Sequence, residues 1–210
     1  MLVYVIILIL LLFLIYTQYR IKDVTLKKST LSKSECNKLI DTANKYHFDT
    51  YLEPVDKDPV FQIDINADGK IMNQELWEMC KKIQKKHMSH IKRPVHFVFL
   101  KRYKPEERTR LYIHFDSSSY TSSFLLSDTK DFEGGELYIF DKQKSQELNT
   151  THKFTKMNKE DVDKFVENYP SLPTVNYEQG DMISYNGTQH LHGILPVTKG
   201  SRYVLSFFFA

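Results

Sequence analysis

The sequence predicts an α+β domain, in which helices precede and support an antiparallel roll of two sheets. Helical periodicity is concentrated in the first half of the chain, apart from one later insertion. Beyond Pro94 the pattern changes to short apolar runs of the kind that form strands. Because helices followed by many short strands are typical of α+β proteins, we expect the early helices to buttress a roll formed by the later strands.

Two helices are predicted ahead of the strands. Ser32 and Glu35 form a capping box, and apolar residues then follow at helical spacing. A second helix is expected from Asn73 to about Ser89. An insertion from about residue 142 to 176 divides the strands and is predicted to hold a short helix capped by Asn158. The expected strands are Val95–Tyr103, Leu111–Asp116, Tyr120–Leu126, Gly135–Phe140, Met182–Tyr185, Gln189–Leu195 and Arg202–Phe209.

The first 17 residues are predicted to be a transmembrane signal-anchor helix. The run from Met1 to Tyr16 is entirely apolar or aromatic. At about 1.5 Å per residue it spans roughly 24 Å, a little less than a hydrocarbon core of about 30 Å. The residues that follow do not resemble a small-residue cleavage site, which favours an uncleaved segment and a single-pass membrane protein.

Two features point to opposite orientations of this anchor. Lys and Arg residues follow the segment, so the positive-inside rule places the bulk of the chain in the cytoplasm. Sequons at Asn149 and Asn186 are compatible with the lumen. We expect the bulk of the chain to lie in the lumen, as in a membrane protein of the endoplasmic-reticulum type, with the orientation left open.

Length and charge limit the class of protein. The 210 residues suffice for one ordinary domain, which we divide into the anchor (1–17), a helical support region (18–93) and a roll core (94–210). The net charge is +3, and there is no zinc-finger spacing or RNA-binding signature, so nucleic acid is not a favoured partner. Residues 70–110 contain twelve Lys or Arg against four acids, which fits a solvated helix face or a surface for acidic groups.

The pattern His114-Phe115-Asp116 is a candidate metal-binding element. On a strand, residues two apart point to the same face, so the imidazole and the carboxylate converge. Two histidines and one carboxylate with open coordination positions suit non-haem Fe(II) oxygen chemistry. The third ligand must come from elsewhere in the chain.

A second element lies near the C-terminus and supplies that ligand. His192 falls on another predicted strand, and Arg202 opens the last apolar strand ten residues later. A guanidinium that points into an apolar roll needs an anionic partner. A dicarboxylate cosubstrate provides one, because the planar guanidinium binds a carboxylate through two parallel hydrogen bonds.

At this point the sequence resembles a known family, the Fe(II)- and 2-oxoglutarate-dependent dioxygenases of the prolyl 4-hydroxylase and lysyl hydroxylase group. The resemblance covers about residue 95 to the C-terminus, and its motifs occur in the order of the family. The residues around His114 and after His192 resemble those of the lysyl hydroxylase branch more than those of the collagen prolyl branch. The matching stretches are Arg102-Tyr103, Leu111 to Ser118, Asp131 to Glu136, Gln179-Gly180-Asp181 and His192 to Tyr203.

The resemblance implies a double-stranded β-helix, or jelly roll, and a set of site residues. His114, Asp116 and His192 match the iron ligands and so the catalytic centre. Arg202 matches the residue that binds the distal carboxylate of 2-oxoglutarate, and Tyr103 and Thr121 match positions that line the cosubstrate pocket. The Glu133-Gly134-Gly135 stretch matches a structural turn. His190 competes with His192 as a ligand, and we favour His192 because its spacing to Arg202 fits the family.

A different motif covers residues 64–75 and fits an EF-hand calcium loop. Asp64, Asn66, Asp68 and Glu75 fall at ligand positions of such a loop. The residues before Asp64 alternate like a strand, however, and Met72 occupies a usual oxygen-ligand position. A hairpin turn between a strand and the next helix would account for the same residue types. Calcium binding there is the less favoured alternative.

These observations predict a membrane-anchored dioxygenase that hydroxylates a lysyl or prolyl side chain of a peptide or protein. The resemblance implies Fe(II), 2-oxoglutarate and O2, with ascorbate as a reductant, and release of succinate and CO2. The basic stretch and the insertion are expected to shape a peptide groove. The alternatives are a calcium-binding protein and a non-catalytic interaction protein with a vestigial oxygenase site.

Overall fold

The computed structural model describes residues 24–154 and 157–210. Four helices and twelve strands are defined over these residues. The helices are α1 (Lys33–Ala43), α2 (Gln74–His87), α3 (Lys142–His152) and α4 (Lys159–Glu167). The strands are β1 (Val24–Lys27), β2 (Gln62–Ala67), β3 (Lys70–Ile71), β4 (Val95–Tyr103), β5 (Leu111–His114), β6 (Tyr120–Leu125), β7 (Phe132–Gly134), β8 (Leu137–Ile139), β9 (Met182–Tyr185), β10 (His192–Ile194), β11 (Val197–Gly200) and β12 (Arg202–Phe209).

The strands form one large sheet and two small ones. The large sheet has the order β1-β9-β6-β12-β4-β2-β3, and the small sheets have the orders β5-β10-β8 and β11-β7. Every pairing between these strands is antiparallel. The predicted α+β class and the two-sheet roll are confirmed, and the arrangement is that of a jelly roll.

The large sheet is buried on both faces, and alternation along β4 and β12 assigns their side chains to one face or the other. Val98, Leu100, Leu205 and Phe207 pack with α1 and α2 in one hydrophobic cluster. The intervening residues point to the opposite face, where a cavity lies between the large sheet and the small ones. The core of the fold therefore separates the supporting helices from the cavity.

Local signals fix the supporting helices. Ser32 accepts from the backbone N–H of Glu35, and the Glu35 side chain accepts from the N–H of Ser32, so the predicted capping box is present. Asn73 caps α2 by accepting from the N–H of Leu76. Buried apolar residues of both helices then face the large sheet.

The insertion contains two helices, where one was expected. Asp141 caps α3, and Asn158 caps α4 as predicted. Leu148 and Val162 of these helices pack with Ile113 and Phe140 in a separate hydrophobic cluster. The insertion thus covers residues of the three-stranded sheet, and none of its described residues lies in the cavity wall.

The region from 18 to 93 also contributes strands that helical periodicity did not indicate. β1 pairs with β9 and forms one edge of the large sheet, while the β2–β3 hairpin forms the other. The expected anchor at residues 1–17 lies outside the described residues. Within the part that the structure describes, no helix combines the length and apolar character needed to cross a membrane.

Candidate metal and cosubstrate site

Three potential ligand atoms converge on one wall of the cavity. The Oδ1 atom of Asp116 lies 3.3 Å from Nε2 of His114 and 3.5 Å from Nε2 of His192. The two imidazole centroids are 4.3 Å apart. Register explains the meeting of two distant segments, because His192 of β10 is directly opposite His114 of β5. Among the described residues, these three side chains form a potential metal-binding group, because their ligand atoms all lie within 4.8 Å of one another.

Backbone carbonyls orient both imidazoles. Nδ1 of His114 donates to the carbonyl of Tyr112 at 2.8 Å, and Nδ1 of His192 donates to the carbonyl of His190 at 3.0 Å. With the proton on Nδ1, the lone pair on Nε2 is available to a metal. Burial by itself would raise the pKa of Asp116, but His192 and His114 outweigh it and hold this pKa well below its usual range. The carboxyl is therefore an anion, as a metal ligand must be.

Residues behind Asp116 fix its carboxylate. Thr121 Oγ1 donates to Asp116 Oδ2 at 2.6 Å, and the backbone N–H of Asp116 donates to the carbonyl of Gly187 at 3.0 Å. A Cβ added at Gly187 would lie 2.5 Å from Asp116 Cβ, so only glycine fits there without displacement. Thr121 is not among the residues that line the cavity, and its hydroxyl is used by Asp116 rather than turned toward a cosubstrate.

Tyr185 completes the surroundings of the three residues. Its ring lies 4.9 Å from the His192 ring, and it is buried in the cavity wall. Burial and the nearby Asp116 carboxylate raise the pKa of the phenol well above its ordinary value, so the hydroxyl stays neutral. The wall beside His192 is therefore aromatic and uncharged.

Arg202 supplies a buried cation in the same cavity. Its side chain is 2% exposed, and Nη1 has no hydrogen-bond partner in the described part of the chain. Burial lowers the pKa of the guanidinium from its ordinary value, and Tyr103, Tyr177 and Glu136 offset this effect only in part. The ring of Tyr103, which pairs with Arg202 across the sheet, lies 5.7 Å from the guanidinium carbon. Gly135 makes room for the arginine stem, since a Cβ there would lie 2.9 Å from Arg202 Cδ.

The cavity has a volume of about 550 Å³, within the usual range for small-molecule sites. His114, Asp116, His192, Arg202 and Tyr103 all line it. A buried cation without a partner indicates an anionic ligand, because an uncompensated buried charge is costly. The residues present therefore fit both a divalent metal with nitrogen and oxygen ligands and a carboxylate-bearing compound.

His190 and His192 occupy different environments. His190 is fully buried, and its Nδ1 donates to the carbonyl of Phe140 at 2.9 Å. Its ring is not part of the convergent group, which contains His192. Because β10 begins at His192, residues 190 and 192 do not share a strand face here, and the expected competition does not arise.

Residues 64–75 form the end of β2, the turn to β3 and the start of α2. This is the hairpin predicted from the sequence as the alternative to a calcium loop. Their acidic side chains turn to separate partners. Asp64 accepts from Nε2 of Gln62, Asp68 lies 2.7 Å from Nδ1 of His96, and Glu75 accepts from Tyr46. These carboxylates do not surround a common point, so the geometry gives no support to calcium binding.

The basic stretch does not shape the cavity in the expected way. Lys81, Lys82, Lys85 and Lys86 belong to α2, which packs on the face of the large sheet that is opposite the cavity. The expectation of a peptide groove formed by these lysines is therefore wrong, because a sheet separates them from the site. The described residues of the insertion pack on the small sheet and do not line the cavity, and a groove that includes the insertion stays a prediction.

Sequence reasoning missed several residues of the site. Asn186-Gly187-Thr188 was noted only as a sequon, yet Asn186 forms a turn that brings Gly187 against Asp116. An Asn-Gly pair shortly before a candidate ligand is a turn signal that could have been used. Tyr51 and Glu53 reach the cavity from a loop far upstream, and no local pattern marks them.

Solved structures of similar fold include several 2-oxoglutarate-dependent oxygenases. One match is the viral collagen prolyl hydroxylase vCPH from Paramecium bursaria Chlorella virus-1 in complex with 2OG, at 18% identity and a TM-score of 0.52, covering 89% of this chain and 95% of that one. A 2OG-Fe(II) oxygenase family protein from Burkholderia pseudomallei matches at 10% identity and a TM-score of 0.60, covering 92% and 88%. A prolyl hydroxylase from Trichoplax adhaerens, in complex with a hypoxia inducible factor peptide fragment, matches at 9% identity and a TM-score of 0.59. The match covers 92% of this chain and 86% of that one.

The likeness to these structures shows the fold, and a family match over residues 99–209 confirms the resemblance predicted from the sequence at the level of the 2OG-Fe(II) oxygenase superfamily. Residues 99–209 match the family described as the carrier-protein-independent halogenase WelO5. This match spans more than half of the 210 residues, and the chain belongs to that family. Comparison with curated proteins gives no match.

Proposed function

We propose that this protein is an Fe(II)- and 2-oxoglutarate-dependent oxygenase that hydroxylates a peptidyl side chain. One observation carries the proposal: the Nε2 atoms of His114 and His192 and Oδ1 of Asp116 converge in the same cavity as the unpartnered guanidinium of Arg202. In the proposed reaction, 2-oxoglutarate, O2 and a C–H bond give succinate, CO2 and a C–OH group.

His114, Asp116 and His192 would hold the iron. Two neutral imidazoles and one carboxylate are the ligand set that suits non-haem Fe(II), and the iron, when bound, supplies the activation of dioxygen. The chain's own contribution is to position the ligands. The Nδ1 hydrogen bonds of the histidines and the Thr121 hydroxyl hold the three ligand atoms on one side of the cavity.

Arg202 would bind the distal carboxylate of 2-oxoglutarate. The guanidinium is buried, its Nη1 atom has no hydrogen-bond partner among the described residues, and a carboxylate offers two acceptor oxygens that match its planar geometry. Tyr103 lies beside Arg202 and lines the same cavity, which supports a role in contacting the cosubstrate. Thr121 acts on Asp116 instead, so we assign it a positioning role.

The aspartate favours hydroxylation over the halogenation named in the family description. Three protein ligands leave three of about six octahedral positions open. The Asp116 carboxylate would occupy a ligand position that a halide would otherwise need. Asp116 therefore supports oxygen transfer to the substrate.

The proposed substrate is a lysyl or prolyl side chain. This part of the proposal is supported by two proteins of similar fold, one described as a collagen prolyl hydroxylase and one as a prolyl hydroxylase bound to a peptide fragment. Ascorbate is proposed as the reductant that keeps the iron ferrous. We also propose that residues 1–17 anchor the catalytic region to a membrane, and fractionation of the full chain with and without alkaline extraction tests this.

Succinate release tests the activity. The full chain should convert 2-oxoglutarate to succinate with Fe(II), O2 and ascorbate, and peptides that contain Lys or Pro should gain one oxygen atom by mass spectrometry. His114→Ala, Asp116→Ala and His192→Ala should each abolish succinate release. As a matched control, His190→Asn keeps a donor for the Phe140 carbonyl and should retain activity. No succinate from the wild-type chain would leave the non-catalytic alternative.

A further inference from the structure

The cavity has two ends that differ in chemistry. Register across the large sheet places Arg202 opposite Tyr103, then Val204 opposite Lys101, then Ser206 opposite Phe99, and Phe208 opposite Phe97. These residues all line the cavity. Along the cavity wall, Arg202 therefore lies at the proposed cosubstrate end, Lys101 lies next to it, and three phenylalanines lie at the other end.

The phenylalanine end is apolar and partly exposed. The Phe97 and Phe99 ring centroids are 5.5 Å apart, and Phe208 lies 6.3 Å from Phe97 and 5.2 Å from Phe99. We call these three residues the phenylalanine cluster. The rim loop, residues 49–61, adds Tyr51 and Val55, which are 43% and 41% exposed. Exposed apolar side chains around a cavity mouth are typical of a binding surface for an apolar group.

The charged side chains next to this cluster form ion pairs with one another. Lys101 is buried, its Nζ forms an ion pair with Glu53, and it lies 4.8 Å from the centroid of the Phe99 ring. Arg108 lies 4.0 Å from Glu53 and pairs with Asp56. Both carboxylates, Glu53 and Asp56, are therefore already paired with cations of the chain.

A cationic side chain would find no unpaired carboxylate in this cavity. Among the described residues of the wall, the carboxylates are those of Glu53, which is paired with Lys101, and Asp116, which belongs to the proposed metal site. An incoming ammonium group would also meet the Lys101 ammonium. In a buried setting both effects oppose a cation strongly, because charges are poorly screened there.

From this geometry we infer that the substrate end of the cavity accepts an uncharged apolar group, and that the Lys101–Glu53 pair excludes cationic groups. The inference rests on the proposed function, because it concerns the substrate of the same site. It narrows the lysyl or prolyl alternative to a neutral ring or alkyl group. A charged lysyl side chain is disfavoured, and Lys101 is the residue that determines this specificity.

A titration of the full chain with a neutral and a cationic ligand of the same size tests the inference. Cyclohexanol and cyclohexylammonium are added to protein labelled with 13C in phenylalanine, and aromatic NMR shifts are followed. We expect cyclohexanol to shift the signals of the phenylalanine cluster with at least about tenfold higher affinity than cyclohexylammonium. Phe99→Leu identifies the cluster signals. Equal affinities, or shifts confined to other phenylalanines, would overturn the inference.

Lys101→Met sharpens the test. Removing the ammonium and leaving Glu53 should raise the affinity for cyclohexylammonium about tenfold or more, with little change for cyclohexanol. If this variant fails to fold, Lys101→Met combined with Glu53→Gln removes both charges and frees no carboxylate, so the preference for the neutral ligand should be kept, and equal affinities in this double variant would overturn the inference. The titration needs no turnover, so a failure to release succinate would count against the proposed function and leave this result unaffected.

Discussion

Thr121 Oγ1 donates a hydrogen bond of 2.6 Å to Oδ2 of Asp116, while Oδ1 of the same carboxylate lies 3.3 Å and 3.5 Å from the Nε2 atoms of His114 and His192. The hydroxyl therefore fixes the carboxylate in the orientation that points one oxygen at both imidazoles. Thr121 lies on β6 of the large sheet, and the histidines lie on the three-stranded sheet. Asp116 follows β5 of that small sheet, so this hydrogen bond and the one from the Asp116 N–H to the Gly187 carbonyl join the two sheets at the proposed metal site.

Thr121→Val should weaken metal binding without unfolding the protein. Valine keeps the shape of the side chain but removes the donor, and loss of such an outer hydrogen bond typically costs about 10- to 100-fold in metal affinity. Anaerobic titration with Co(II) as a spectroscopic substitute for Fe(II) measures this. Thr121→Ser retains the hydroxyl and should bind nearly as the wild type does. Unchanged affinity in the valine variant would remove Thr121 from its positioning role.

Gly187→Ala should damage the same site from the other side. The added methyl group would lie 2.5 Å from Asp116 Cβ and 2.8 Å from Asp116 Oδ2, so the carboxylate must move. We expect at least about a tenfold loss of metal affinity, with the thermal transition largely retained. Gly69→Ala is the matched control, because a Cβ at that hairpin position meets nothing within 4 Å. Its positive φ of 79° carries a local backbone cost only.

Arg202→Met should affect cosubstrate binding more than metal binding. Methionine fills part of the space and removes the charge, and hydrogen bonds to charged groups contribute about 1.5–3 kcal/mol each. We therefore expect the KM for 2-oxoglutarate to rise at least about tenfold, while Co(II) affinity stays close to that of the wild type. Titration of the metal-loaded protein with 2-oxoglutarate gives a second readout. A KM equal to that of the wild type would contradict the proposed role of Arg202.

Glu53 should make the protein sensitive to acid. Burial tends to raise its pKa, but Lys101 and Arg108 outweigh this and hold the pKa below the ordinary value of 4.5. A carboxyl with a depressed folded-state pKa contributes stability that is complete above its ordinary pKa and is lost as the pH falls through the folded value. The free energy of unfolding should therefore fall in acid.

Glu53→Gln is expected to remove this contribution. At pH 7 the free energy of unfolding should drop by about 3 kcal/mol, since the substitution leaves the buried Lys101 without its partner. The variant should then lose less stability than the wild type between about pH 5 and pH 3. Urea denaturation at several pH values measures both effects. Lys101→Met in the same chain should restore much of the loss, and an identical pH profile in wild type and Glu53→Gln would refute the assignment.

Local patterns in the sequence were sufficient for the parts of the fold that depend on neighbouring residues. The strands Val95–Tyr103, Met182–Tyr185 and Arg202–Phe209 have the predicted bounds, because alternation and flanking turn residues mark them. The capping box of Ser32 and Glu35 and the Asn158 cap were equally local. β1 was not predicted, since four residues at the edge of a sheet carry too little periodicity to stand out.

The site was accessible from the sequence only where motifs mark it. His114 and Asp116 are two residues apart, and the resemblance to a family supplied His192 and Arg202. The pairing of Lys101 with Glu53 joins residues 48 positions apart in the chain, and nothing local to either indicates the other. Contacts of this kind follow from tertiary structure, and they determine the substrate end of the cavity.

Strand β12 serves two functions through its alternating faces. Leu205 and Phe207 hold the helices, while Arg202, Val204 and Phe208 line the cavity. Insertion or deletion of a single residue within this strand would rotate every later side chain to the other side of the sheet. Such a change would put aromatic bulk where ligands enter and polar groups against the helices. The length of β12 should therefore tolerate far less variation than its composition, and truncation scanning should show an abrupt rather than gradual loss of folding.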